Sequence, residues 1–308
     1  MSAKRRLVYI LSPSYSGSTL LTLLLAQHQD IATMGELKAT AMGPIENYRC
    51  SCGELIEACD FWQQLQLSVK KQNKAFSLQN FGTHFGSASL FSDRILRAQV
   101  RGPIFESIRQ VGLSLPGVAA EFQQIIENNQ YFIEQTCRLQ DKSIFLDGSK
   151  DPHRLKYLMQ SNLWDIKVIR MYRDGRAQSN SQRKKGYHGG DYASACHEWK
   201  STIAQMHEVS ALLPKDDLIT IKYESLCADP NAVMESLWQF LDIPSMEQDW
   251  SSVDLRQTPH HIIGNSMRTK SQISIKVDDA WKETLSDDDL TAFNNIAAST
   301  NHQLGYGD

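Results

Sequence analysis

The sequence predicts an α/β protein, a central parallel sheet flanked by helices with a P-loop-like turn and a helical insert. Short, unalternated apolar runs recur at 7–11 (LVYIL), 143–148 (SIFLDG), 166–172 (IKVIRMY) and 217–223 (DLITIKY), the pattern of strands buried on both faces. Each run is followed by helical periodicity, at 18–27, 151–161, 174–185 and 229–241. Residues 60–140 differ in character, with helical segments expected at 61–71, 88–110 and 117–138.

Taken in order, the first strand opens into SPSYSGST and then into the leucine-rich LLTLLLA, which is apolar nearly all round and so expected to be buried. IATMG is expected as a second short strand. After the insert come the remaining three strand–helix units. The part beyond Trp250 reads as loop-rich and closes in a helix, LSDDDLTAFNNIAASTNHQL, whose N-terminus Ser286 and Asp287–Asp289 make acidic. No repeat, low-complexity tract or long Pro/Gly linker divides the chain, so residues 1–308 are expected as a single domain.

A net charge of −3 argues against bulk nucleic-acid binding. No apolar run approaches the ~18–20 residues of a membrane span. MSAKRRLVYIL imitates a signal peptide, but its apolar part is short and leads straight into the loop, so it reads as strand. The expectation is a cytoplasmic protein without a membrane anchor. Six cysteines are too few for a disulfide scaffold. Cys50, Cys52 and Cys59 cluster in YRCSCGELIEACDFW, but a zinc site would need a fourth ligand, and no Cys or His stands close by in sequence. Free or disulfide-forming cysteines are expected there, and no metal.

The chemistry concentrates in a few places. In the loop, Ser16, Gly17, Ser18 and Thr19 lead into a helix whose first N–H groups have no intrahelical partner. Backbone amides, a glycine that admits an anion, and three hydroxyls can hold a phosphate or sulfate without the lysine of GxxxxGK[ST]. Glu36, in MGEL, follows a strand end and is placed to act as a general base or to remain a solvated surface residue. Lys150, between a strand and the helix start Asp151-Pro152, can neutralise charge on a transferred group; His153, one turn on, reads as packing or surface. Arg173 ends the strand IKVIRMY, with Ser179 and Ser181 on the following helix, a pattern suited to a phosphate. Tyr223, read as closing a strand, can stack on a nucleotide, and HHIIGNSMRTKSQISIK offers Arg268 to a second phosphate.

In this order (SGST loop, GE, KDP, RDGRAxSxS, KYESL) the motifs resemble the sulfotransferases that use 3′-phosphoadenosine 5′-phosphosulfate (PAPS), notably the tyrosylprotein, carbohydrate-type and bacterial enzymes. The resemblance covers nearly the whole chain except 60–140, an insert between strands, and such inserts commonly build the acceptor side of an α/β site. It implies a P-loop-like sulfotransferase fold and transfer of a sulfuryl group to a hydroxyl of a sugar, a tyrosine or a small metabolite. The product is 3′-phosphoadenosine 5′-phosphate (PAP), and no metal is required. It implies that Ser16–Thr19 hold the 5′-phosphosulfate, and Arg173 and Ser181 the 3′-phosphate, with Tyr223 beside the nucleotide. Glu36 would be the base, Lys150 the cation at the moving group, and Ser266, Arg268 and Lys276 the C-terminal donor loop. Where such enzymes usually carry Arg or Lys before the Ser-Gly of the loop, this chain has Tyr15, so Lys150 is expected to carry more of that charge. A P-loop kinase or NTPase, with Asp147 as its metal-binding carboxylate, and a catalytically silent nucleotide-binding protein are the alternatives.

Overall fold

The computed structural model describes residues 4–39, 44–71, 77–78, 80–255 and 260–307. Five strands form one parallel sheet: β1 (Arg5–Leu11), β2 (Ile31–Thr33), β3 (Ile144–Lys150), β4 (Trp164–Tyr172) and β5 (Leu218–Lys222), in the order β2-β3-β1-β4-β5. Along β1, Leu7, Tyr9 and Leu11 enter one apolar cluster and Val8 and Ile10 the other, on the opposite face. Both faces are covered, which is why the sequence run is apolar without alternation.

One face carries α1 (Ser18–Leu25), whose Leu20, Leu21, Leu23, Leu24 and Leu25 are all buried, and α10 (Pro230–Leu241) with Trp238 and Leu241. To the other face belong buried residues of α5 (Pro116–Gln140), α6 (Pro152–Ser161) and α8 (Tyr192–Ser210). β1 lies between β3 and β4, so the chain leaves the sheet in opposite directions on its two sides. In open α/β sheets, that crevice at the carboxyl ends of the strands receives ligands.

Between β2 and β3 run α2 (Asp60–Lys71), α3 (Leu90–Leu96), α4 (Pro103–Leu113) and α5; residues 72–76 and 79 of this stretch lie outside the described residues. The single helical segment expected at 88–110 is two helices, because Gly102 and Pro103 start a new one with Pro at its first turn. A helix not anticipated, α8, follows an Asp191 cap that accepts from Ser194 N–H. β5 ends one residue earlier than expected: Tyr223 opens a short helix, α9 (Tyr223–Ala228), instead of closing the strand. The loop-rich region contains β6 (Ser252–Asp254) and β7 (Gln272–Ser274), an antiparallel pair. After α7 (Gly175–Lys184), α11 (Trp281–Thr284) and α12 (Asp287–Gln303) complete the helices, and Ser286 and Asp289 close a reciprocal capping box on α12.

Candidate functional site

β1 delivers the chain at its carboxyl end into Ser12–Gly17. Gly17 sits in the left-handed region (φ 88°), and a Cβ there would lie 2.4 Å from the Tyr223 ring, so only glycine fits. Tyr15 also has positive φ, 65°, a conformation that costs a non-glycine residue energy. The loop's carbonyls are held from three directions. Ser16 Oγ donates to Pro13 O (2.8 Å), Gln178 Nε2 to Ser14 O (2.5 Å) and Arg173 Nη1 to Tyr15 O (3.0 Å). The Ser16 hydroxyl proton, expected for an anion, is therefore used to shape the loop. Ser12 Oγ is buried there with no partner among the described residues. Burial, then the contact with Tyr187, pushes the Tyr15 phenol well above its ordinary value, so it stays neutral at pH 7.

Glu36 and Lys150 meet. Glu36 is 5% exposed, and Lys150 Nζ is ion-paired to its Oε1. Two local irregularities bring them together. Gly35 (φ 88°) bridges to Ile262, and a Cβ on it would lie 2.2 Å from the Ile262 carbonyl. Opposite, β3 slips its register against β1, from Tyr9↔Asp147 to Leu11↔Lys150, and Lys150 takes φ 74°. The slip places Lys150 beside the last residue of β1, at the mouth of the loop. Lys38, which the sequence reading passed over, lies 3.8 Å from Glu36 Oε2 and 3.3 Å from Asp151 Oδ2. Burial works against the Lys38 charge, but Asp151 and Glu36 outweigh it and hold the ammonium above its ordinary pKa. Asp151 is also opposed by burial, yet Lys38 and His153 hold its carboxyl below the usual range. Beside them, burial lowers His84 and takes His153 down to about 4, so both imidazoles are neutral at pH 7.

On the far side of the loop, Arg173 is 6% exposed and its guanidinium lies 4.6 Å from the Tyr223 ring centre. Nη2 donates to the carbonyl (2.7 Å) and carboxylate (3.0 Å) of Asp278, while its buried Nε has no partner among the described residues. Tyr223 Oη donates to Lys276 O and accepts from Asp278 N–H, both at 3.2 Å. The segment from 260 to 278 thus runs the length of the cluster. Ile262 lies on Gly35, Asn265 N–H donates to Thr19 Oγ1 (3.0 Å), and Asp278 closes on Arg173. Arg268 donates to Arg49 O (2.6 Å) over the Tyr48 ring.

Other expected residues keep to their own segments. Ser181 Oγ donates to Ala177 O inside α7, Ser266 O accepts from Thr269 Oγ1 in a 3₁₀ turn, and the Lys276 residue is exposed. Asp147 is fully committed elsewhere. It accepts from Leu37 N–H, Ser149 N–H and Oγ, and from Arg154 Nε at 2.9 Å, at zero exposure. A buried carboxylate ion-paired to Arg154 and engaged by these donors serves the packing of the strand end, the role its surroundings support. A concavity of about 870 Å³ lined by Lys4, Asp30, Ser143 and Trp164 lies at the amino ends of the strands, away from this cluster.

In the cysteine turn, Cys50, Cys52 and Cys59 are free thiols, one of the two forms expected. The fold brings His260, 210 residues from Cys50, beside them, and the four donor atoms lie within 4.8 Å of one another.

A family model described as the sulfotransferase family matches residues 8–248. The chain is 28% identical over 177 residues to protein-tyrosine sulfotransferase A of Caenorhabditis elegans, covering 51% of this chain and 44% of that protein. It is 33% identical over 105 residues to protein-tyrosine sulfotransferase of Drosophila melanogaster, covering 31% of this chain and 21% of that one. It thus spans less than half the length of these two relatives. The sulfotransferase domain from the Synechococcus PCC 7002 olefin synthase has a TM-score of 0.55 at 16% identity, covering 100% of this chain and 97% of that one. At that identity the likeness speaks for the fold.

Proposed function

Because the chain belongs to the sulfotransferase family, we propose that it moves a sulfuryl group from PAPS to an acceptor hydroxyl by in-line transfer. The observation that carries this reading is the Glu36–Lys150 pair at the carboxyl ends of β2 and β3, beside the loop that opens α1. A carboxylate able to accept a proton and an ammonium able to meet developing negative charge stand together. The donor supplies a sulfuryl group already joined to a good leaving group, so the protein's task is positioning and electrostatics.

Support for the fit comes from groups left waiting. Among the described residues, Arg173 Nε and Ser12 Oγ are buried without partners, and Gly17 keeps side-chain bulk away from the helix start. In this reading the amides of Ser16–Thr19 receive the 5′-phosphosulfate. Arg173 and Ser181 receive the 3′-phosphate, Arg173 exchanging the Asp278 carboxylate for it, and the Tyr223 ring lies beside the nucleotide. Ser266, Arg268 and Lys276 line the C-terminal side. Glu36 takes the acceptor's proton once the incoming hydroxyl separates it from Lys150. Lys150 then turns to the charge on the leaving oxygen, which neutral Tyr15 can meet only with a hydrogen bond. The acceptor enters over His84 and His153, between the helices of 60–140 and α6. The chain acts as one catalytic domain on a hydroxyl-bearing acceptor.

The test is transfer of labelled sulfuryl from PAPS to a panel of tyrosine peptides, sugars and small alcohols. Glu36→Gln should lower kcat by about 10²–10⁴-fold and Lys150→Ala by about 10²–10³-fold. Near-normal turnover in both variants would overturn the assignment. PAPS binding with no transfer to any acceptor would favour a silent binding protein.

A further inference from the structure

We propose that Cys50, Cys52, Cys59 and His260 bind one zinc ion, and that the metal fastens the 260–278 segment to the turn at 48–59. The geometry is close to that of a bound site. Four zinc bonds of ~2.3 Å to sulfur and ~2.0–2.1 Å to nitrogen at tetrahedral angles put sulfurs about 3.8 Å apart, and sulfur and nitrogen about 3.6 Å apart. Here Cys52 Sγ and Cys59 Sγ are 3.7 Å apart, Cys50 Sγ is 3.5 Å from His260 Nδ1, and Cys59 Sγ is 3.1 Å from it.

The surroundings are built to hold the donors. Cys50-Ser51-Cys52-Gly53 is a tight turn in which Gly53 (φ 93°) donates to the Cys50 carbonyl at 3.0 Å. Cys59 sits one residue before α2, and Phe61 stacks parallel on the His260 ring at 5.0 Å, fixing its plane. Ser51 and His261 exchange two hydrogen bonds, so the chain is already paired next to the fourth ligand. Cys50 and Cys59 are buried while Cys52 is exposed, a closed site with one open side. A disulfide would use two of the three sulfurs and leave the third and the imidazole without purpose; zinc uses all four donors.

Zinc is held by sulfur as thiolate and by an imidazole lone pair, so binding is favoured by deprotonated ligands. No redox step is involved. Occupancy therefore falls as pH falls. The metal stands one residue from His261, which packs on Gly35 next to Glu36, and a few residues from Asn265, which holds Thr19. It is thus a positioning element for the cluster, without contact to the reacting atoms.

The test begins with the full chain, purified without metal resin or chelator and analysed by mass spectrometry for metals. About one zinc per chain is expected, released by a mercurial reagent into a zinc-binding dye. Cobalt-substituted protein should show thiolate charge-transfer absorption and tetrahedral d–d bands. His260→Ala should retain less than a tenth of the metal, His260→Cys should keep it, and Cys137→Ser, outside the cluster, should not change it. Less than a tenth of a zinc per chain after zinc-supplemented expression overturns the proposal. Thiol titration in denaturant then tells free cysteines (six) from a disulfide (four). The site does not depend on the donor assignment. Zinc removal should weaken PAP binding about tenfold, whereas full zinc with no PAP binding in either form would sink the donor assignment alone.

Discussion

Gly17 shows how much one residue without a side chain can decide. Its φ of 88° and the 2.4 Å approach of the Tyr223 ring leave no room for a methyl group. Gly17→Ala must push the ring or twist the loop, and Tyr223 in turn holds Lys276 and Asp278. PAP affinity should fall at least about tenfold with a lower Tm, as calorimetry and thermal unfolding would show; unchanged binding would mean the loop is not a ligand cradle. His153 makes a second prediction. Burial dominates its surroundings, where Asp151 favours the charged form and His84, Arg109 and Lys38 oppose it, and the net effect takes the folded pKa to about 4, below the ordinary 6.5. The unfolded chain then binds a proton that the folded one refuses, so stability present above pH 6.5 is lost as pH falls toward 4. His153→Gln should show a smaller Tm drop between pH 7 and 5 than the unmodified protein. An identical drop would contradict the burial assigned to this imidazole.

At the scale of elements, the site depends on irregular strand ends. β3 keeps its register with β1 through Asp147 and then slips, and the slip turns Lys150 toward Glu36. Asp147 anchors the slip, because its carboxylate ties Leu37, Ser149 and Arg154 to one point. Arg154, 1% exposed, also donates to Thr83 O and Asn129. Asp147→Asn leaves that guanidinium buried without its counter-charge, a change that typically costs about 3–5 kcal/mol. Chemical denaturation should show a loss of that size, and a loss below about 1 kcal/mol would assign the network little weight. The strands themselves were legible in the sequence, since two buried faces leave unbroken apolar runs. α8 carried a readable signal, with Tyr192, Ala195, Cys196, Trp199, Ile203 and Met206 on one buried face, but polar residues between them masked the periodicity. The two-helix break at Gly102-Pro103 was written in plain turn chemistry and passed over.

Across the whole molecule, the cluster is assembled by contacts that local sequence cannot show. Glu36 and Lys150 are 114 residues apart, Thr19 and Asn265 are 246 apart, and Cys50 and His260 are 210 apart. Motif spacing revealed the loop, the carboxylate and the lysine separately. That they touch, that Lys38 joins them, and that the 260–278 segment stitches Gly35, Thr19 and Arg173 together follows only from the parallel order β2-β3-β1-β4-β5. In the proposed reading, one nucleotide would touch both the loop after β1 and Arg173 after β4, which end neighbouring strands. A ligand that binds only the folded state raises its stability in proportion to the logarithm of its concentration over Kd. The central claim, a site for a 3′-phosphorylated adenosine donor, is therefore tested most directly by thermal unfolding of the intact chain with PAP, PAPS, ATP–Mg²⁺ or GTP–Mg²⁺. PAP and PAPS should each raise Tm by several degrees at a concentration about a hundredfold above Kd, worth about 2.7 kcal/mol, while ATP and GTP leave it nearly unchanged. A shift with ATP–Mg²⁺ equal to or larger than that with PAP would contradict the claim.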